Sequence, residues 1–135
     1  MMTTAAACLA AAIYFEARGE TLDGQIAVAE VVANRVADDR FPESFCGVVK
    51  ENRYPDSLHR CQFSFYCDGK PEKVTDWSAW ATATEIAEAV MDGSLELGVI
   101  ATHYHATSVN PWWSAYYEPL GTIGRHTFYL AGELE

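Results

Sequence analysis

The stretch that decides the fold is Ala10–Glu20, AAAIYFEARGE. Ala5, Ala6, Ala7 and Leu9 lead into it, and neither Gly nor Pro interrupts the run before Gly19. Alanine is the strongest helix former and leucine is close behind, so a helix is expected from Thr4 to about Arg18. Gly19 supplies its stop, because glycine takes a left-handed C-terminal conformation at no steric cost. Glu16 then falls in the last turn, with Tyr14, Phe15 and an apolar helix behind it. A negative charge is disfavoured there twice, by the unsatisfied carbonyls of the helix end and by the apolar surroundings. Both effects push the carboxyl pKa upward, the direction that suits a general acid. The competing reading is a surface ion pair of Glu16 with Arg18 or Arg35.

After the bridge Glu20–Asp23, the run GQIAVAEVVANRV predicts a second helix over about Gly24–Val36, capped by Thr21 or Asp23. Its apolar residues recur at three- and four-residue steps over most of the circumference, the mark of a largely buried helix. Glu30 and Asn34 mark its narrow polar face. The two helices form a hairpin with Glu16 and Glu20 at the corner. A turn at Asp38–Glu43, a short helix over about Pro42–Lys50 and a surface loop over Glu51–Arg60 follow. CQFSFYCDG alternates apolar and polar positions and reads as extended. Asp76 caps a helix over Trp77–Met91, with Trp80, Ala83, Ala87 and Val90 on its buried face and Ile86 and Met91 broadening it; Gly93 ends it. Val99–Ala106 and Ile123–Leu130 are rich in β-branched and aromatic residues and read as an antiparallel pair of strands. The aromatic loop SVNPWWSAYYEPLG projects between them. The expected class is α+β, mainly helical with a small antiparallel sheet near the C-terminus, in one domain over 1–135.

At 135 residues the chain has room for one compact core. Its net charge is -10, without a basic cluster, so no nucleic-acid partner is expected, since that needs phosphate neutralisation. Anionic membrane surfaces are disfavoured on the same ground. The Ala-rich start has no basic flank, reads as a helix and not as an export signal, and is too short to span a bilayer. No stable membrane insertion is expected. Of the four cysteines, Cys8 on the first helix reads as a buried free thiol. One disulfide among Cys46, Cys61 and Cys67 is expected in an oxidising compartment.

Three constellations could carry chemistry. Glu16 with Glu20 could form a carboxylate pair for glycoside hydrolysis. His103 and His105 lie on one face of a strand, and with His126 they could bind zinc, although no HExxH occurs. Ser64 with a histidine is a hydrolase pair lacking the G-x-S-x-G elbow. Clustered aromatics, among them Trp112 and Trp113, suit a groove that stacks on sugar faces as well as they suit a core.

Taken together, IYFEARGE, GQIAVAEVVANRV, CQFSFYCDG, ATHYHA, VNPWW and IGRHTFY resemble the SleB/CwlJ-type cell-wall hydrolase family, in the family's order, from about Ala5 to Tyr129. The resemblance implies a lysozyme-like catalytic domain of lytic transglycosylase type, with Glu16 as the acid. It implies cleft positions at Glu20, Ser64, His103, Tyr104 and His126. It also implies peptidoglycan as substrate and action at the cell wall; the chemistry expected of Glu16 needs no metal and no organic cofactor, and a monomer is expected. No counterpart of the N-terminal peptidoglycan-binding repeat of spore-germination members is expected. The cysteine-bearing middle is that of relatives from Gram-negative bacteria and their phages, so a phage-type lysin is one expected setting and muramic-lactam specificity is not carried over. Two other readings compete: a zinc amidase or peptidase using His103, His105 and His126, and a wall-binding module without catalysis.

Overall fold

The computed structural model describes residues 2–52 and 62–132. Helix α1, Ala5–Ala17, is capped by the Thr4 side chain, which accepts from the Ala7 amide. Cys8 to Tyr14 are all buried. Alanine on every side lets neighbours approach all round, and α1 is the central post on which α2 (Leu22–Val36), α3 (Phe45–Val49) and α4 (Trp77–Met91) pack. Thr21, Ser44 and Asp76 cap these three helices, each side chain accepting from an amide three residues on. Tyr14 adds a second tie, its hydroxyl accepting from the Thr75 and Asp76 amides at the start of α4. On α4, Ala83, Ile86 and Ala87 are buried while Met91 is exposed.

Near the C-terminus β1 (His103–Ala106), β2 (Glu118–Ile123) and β3 (His126–Leu130) form an antiparallel sheet in the order β1-β3-β2. Tyr104 pairs with Phe128 and Ala106 with His126, so these four share the face turned toward the helices. Phe128 joins Ala27, Val31 and Ala101 in a small second core between α2 and the sheet.

The polar face of α2 is a clamp and not a solvated stripe. Glu30 is buried and accepts from the Leu97, Gly98 and Val99 amides, all within 3.1 Å. Asn34 donates to the Val99 and Ala101 carbonyls, and Arg35 donates from Nε to the Thr102 carbonyl. The backbone of 97–102 thus bonds to side chains of α2, which is why the strand expected from Val99 begins only at His103. The same clamp fixes where β1 presents Tyr104.

Three further expectations change. The run CQFSFYCDG is not extended; Ser64–Cys67 form a 3-10 turn closed by the Tyr66 amide on the Phe63 carbonyl. Phe65 stacks on Phe15 at 4.8 Å, so packing, and not a strand partner, sets its alternation. β2 was hidden by Pro119 and Gly121, which an edge strand tolerates at the bulge found between them. Cys8 is no free thiol. It is bonded to Cys46, because α3 lays its first turn across α1 with the two Cα atoms 5.1 Å apart. Cys67 is disulfide-bonded as well. Cys61 and most of the loop read over Glu51–Arg60 lie outside the described residues.

Candidate active site

Glu16 stands in the last turn of α1, and Gly19, at φ 90°, turns the chain away immediately after it. Its carboxylate accepts from the Tyr104 hydroxyl at 2.8 Å. Burial raises the Glu16 pKa above the ordinary carboxylate value, and the Tyr104 hydrogen bond offsets part of that rise. Neither arginine of the competing reading pairs with it among the described residues: Arg18 donates to the Tyr14 hydroxyl and Arg35 to the Thr102 carbonyl. Tyr104 is held edge-on against His126, ring centroids 5.0 Å apart, and tilted on Phe128 at 5.7 Å. Burial and the adjacent Glu16 carboxylate push the Tyr104 hydroxyl pKa well up.

Glu20 has a different environment. Its carboxylate accepts from the Arg125 amide at 2.9 Å and from Arg125 Nε at 2.7 Å. These bonds, the backbone one foremost, hold its pKa below the ordinary value. His126 Nδ1 lies 3.9 Å from Glu20 and is buried, and burial lowers the His126 pKa against the pull of that carboxylate. Gly124, at φ 59°, lets the β2–β3 turn close on Glu20; a Cβ there would sit 2.5 Å from Oε1.

Two cavities flank Glu16. One, about 320 Å³, is lined by Phe15, Phe63, Arg35, Tyr104 and Val109; the other, about 410 Å³, by Arg18, Glu20, Ser108 and Arg125. Glu16, Ala106 and His126 line both, so they form one groove with Glu16 at its middle. Three arginines thus face the groove of an acidic protein. Arg18 and Arg35 were named from the sequence only as ion-pair partners of Glu16; Arg125 was not singled out and was signalled only by its place in the glycine turn before His126.

Of the other expected site residues, His105 also lines the cavity of about 320 Å³; the rest lie outside the groove. His103 packs against Trp113 and Tyr117 on the opposite sheet face. On that face His105 donates from Nδ1 to the Ala106 carbonyl, so Nε2 accepts from the Tyr129 hydroxyl. Both its nitrogens are used, and His126 faces the other way, so the three histidines do not converge as the zinc reading requires. Among the described residues no three His, Cys, Asp or Glu could hold a metal ion. Ser64 is exposed on its turn and Trp112 is exposed. Neither is among the described residues that line the groove.

Residues 19–129 match the family described as cell wall hydrolase. This chain belongs to that family. The matched segment includes Glu20, Tyr104 and His126 and begins just after Glu16. A spore cortex-lytic enzyme of Oceanobacillus iheyensis is 31% identical over 124 residues, with 89% of this chain and 39% of that protein covered. Its counterpart in Halalkalibacterium halodurans is 28% identical over 120 residues, covering 89% and 33%. The chain therefore spans well under half the length of these relatives. Among solved structures, the catalytic domain of the Bacillus cereus SleB protein aligns with a TM-score of 0.68 and 26% identity, over 93% of this chain and 88% of that one. The catalytic domain of the germination-specific lytic transglycosylase SleB from Bacillus anthracis gives 0.67 and 26%, over 93% of each chain. The helical hydrolase fold with its small antiparallel sheet is shared with both.

Proposed function

We propose that this cell wall hydrolase cleaves the glycan strand of peptidoglycan between N-acetylmuramic acid and N-acetylglucosamine, and does so as a lytic transglycosylase. The observation that carries the proposal is the contrast between the two carboxylates of the groove. Glu16 is half-buried with a raised pKa and is available to give a proton. Glu20 has both carboxylate oxygens engaged by Arg125, Oε1 by its amide and Oε2 by its Nε. Among the described residues lining the groove there is no third carboxylate, so the acid–base pair of ordinary glycosidases lacks its second member.

In this reading Glu16 protonates the glycosidic oxygen as the bond to the sugar breaks. The 2-acetamido carbonyl of the muramyl sugar stabilises the cation that develops, as in substrate-assisted glycosidases. The Glu16 carboxylate then accepts the proton of the same sugar's 6-hydroxyl, whose oxygen closes on C1. The product is a 1,6-anhydro end, and the proton lost from Glu16 is regained. An intramolecular hydroxyl arrives already positioned, which a water molecule does not. Tyr104 steadies the carboxylate, Glu20 holds the turn that presents His126, and the arginines at the groove suit an anionic stem peptide. The name of the Bacillus anthracis relative agrees with this chemistry.

The test is the product. Purified sacculi digested to completion and read by mass spectrometry should release muropeptides one water lighter than hydrolysis products and inert to borohydride. Reducible muramic acid ends would mean hydrolysis instead. Reducible N-acetylglucosamine ends would mean the other glycosidic bond, and free stem peptides would remove the glycosidase reading altogether.

A further inference from the structure

In a protein of net charge -10, the segment Thr107–Tyr117 contains no charged residue. It starts in the groove, with Thr107 and Ser108 lining one end and Val109 the other. Beyond Val109 it makes the 3-10 turn Trp112–Ala115, closed by the Ser114 and Tyr116 amides on the Pro111 and Trp113 carbonyls and by the Ser114 hydroxyl on Pro111.

The doublets Trp112-Trp113 and Tyr116-Tyr117 divide their work. Trp113 stacks on Tyr117 at 5.5 Å and meets Tyr129 edge-on at 5.3 Å, bracing the turn against the sheet. Trp112 and Tyr116 are instead 78% exposed each, with ring centroids 6.1 Å apart and ring planes at 60° to one another. Single exposed aromatics are ordinary on a protein surface. Two side by side, on a braced and uncharged loop that leads out of a groove, are a preformed platform whose ordering cost is already met by the fold.

We infer that Trp112 and Tyr116 form a glycan-stacking platform that holds the peptidoglycan strand outside the Glu16 groove. The inference rests on the reading that the groove takes a glycan strand, and the platform is continuous with the groove through Val109. The C–H faces of pyranose rings carry slight positive charge and lie well on the electron-rich faces of aromatic rings. Such contacts need no charge, so they work for an acidic protein on a wall whose stem peptides are themselves anionic. A charged platform of either sign would be repelled or would bind the peptides instead.

The test uses the full chain with Glu16→Gln, so that the strand is bound and not cut. Trp112→Ala, Tyr116→Ala and the double variant are sedimented with purified sacculi, and with sacculi whose stem peptides an amidase has removed. Binding to both should fall about tenfold or more in the double variant, with an unchanged melting temperature and little loss for Trp112→Phe. Undiminished binding overturns the platform, and so does a loss confined to peptide-bearing sacculi. A platform that instead joins two copies of this chain would show as a dimer lost in the double variant with wall binding intact, and also overturns it. Activity that survives Glu16→Gln would overturn Glu16 as the acid of the proposed function, an outcome read from the released products and separate from this binding comparison.

Discussion

The hydroxyl of Tyr104 on β1 donates to the carboxylate of Glu16 at the end of α1, 2.8 Å away across 88 positions of sequence. The two groups share one half-buried site but are driven in ways that do not compete. Burial raises the Glu16 pKa more than the hydrogen bond lowers it. Burial together with the carboxylate drives the tyrosine far above its ordinary value. The phenol therefore keeps its proton while Glu16 exchanges one, and the bond has a fixed direction.

Glu16→Gln should lower turnover on sacculi by at least a hundredfold, the usual contribution of a general acid, with binding retained. The same change should stabilise the fold at neutral pH. The native state holds the Glu16 proton more tightly than the unfolded chain, so wild-type stability falls as pH rises from about 4.5 through the raised folded value. Glutamine has no charge to bury. Melting curves of the two proteins should converge below pH 4.5 and separate above it, with the variant the more stable.

Tyr104→Phe removes the hydrogen bond that favours the charged form of Glu16. The alkaline limb of the pH–rate profile should move to higher pH, and turnover at neutral pH should fall about tenfold or more, the worth of a hydrogen bond to a charged group. A merely structural role for Tyr104 would lower activity without moving the limb. A pH series on the two proteins, at saturating and at low substrate, separates the cases.

Much of this was legible in the chain. AAAIYFEARGE carries its own helix signal and its own stop, so Glu16 could be placed at an apolar helix end, with its pKa direction, before any tertiary contact was known. The cap Asp76 and the span of α4 follow equally from local chemistry, and so does a cap at the start of α2, which local chemistry leaves between Thr21 and Asp23. What local reading missed is what neighbours decide. Glu30 and Asn34 look like a solvated stripe until the 97–102 backbone lies on them. Pro119 and Gly121 argue against a strand until the strand proves to be an edge. Trp112 and Trp113 are alike in sequence and opposite in exposure, because only one of them meets His103 and Tyr129. Glu20 looked like a partner for Glu16 until the turn at Gly124 took its carboxylate.

Cys46→Ser should cost about 4 kcal/mol of stability, the loop-closure value for a cross-link with a sequence separation of 38 residues. Unfolding in denaturant with and without a reductant measures it. Reduction of the wild type should cost more than Cys46→Ser, since it opens the disulfide of Cys67 as well as the bond that fastens the first turn of α3 to the start of α1.

Gly124→Ala and Glu20→Gln test the turn from its two sides. A Cβ at 124 would need a left-handed conformation and would stand 2.5 Å from Glu20 Oε1, so the turn must shift, at about 2 kcal/mol. The Arg125 side chain is 72% exposed, and its ion pair with Glu20 is worth little by itself; the weight falls on the buried carboxylate accepting the Arg125 amide. Glu20→Gln should therefore be destabilising at neutral pH even though Arg125 stays in solvent. Its sign with pH is opposite to that of Glu16→Gln. The folded pKa of Glu20 is depressed, so its stabilisation is present above about 4.5 and is lost as pH falls through the folded value. Both variants should weaken activity by displacing His126, raising KM more than they lower turnover. Were Glu20 instead a catalytic base, Glu20→Gln would abolish turnover and Gly124→Ala would not mimic it.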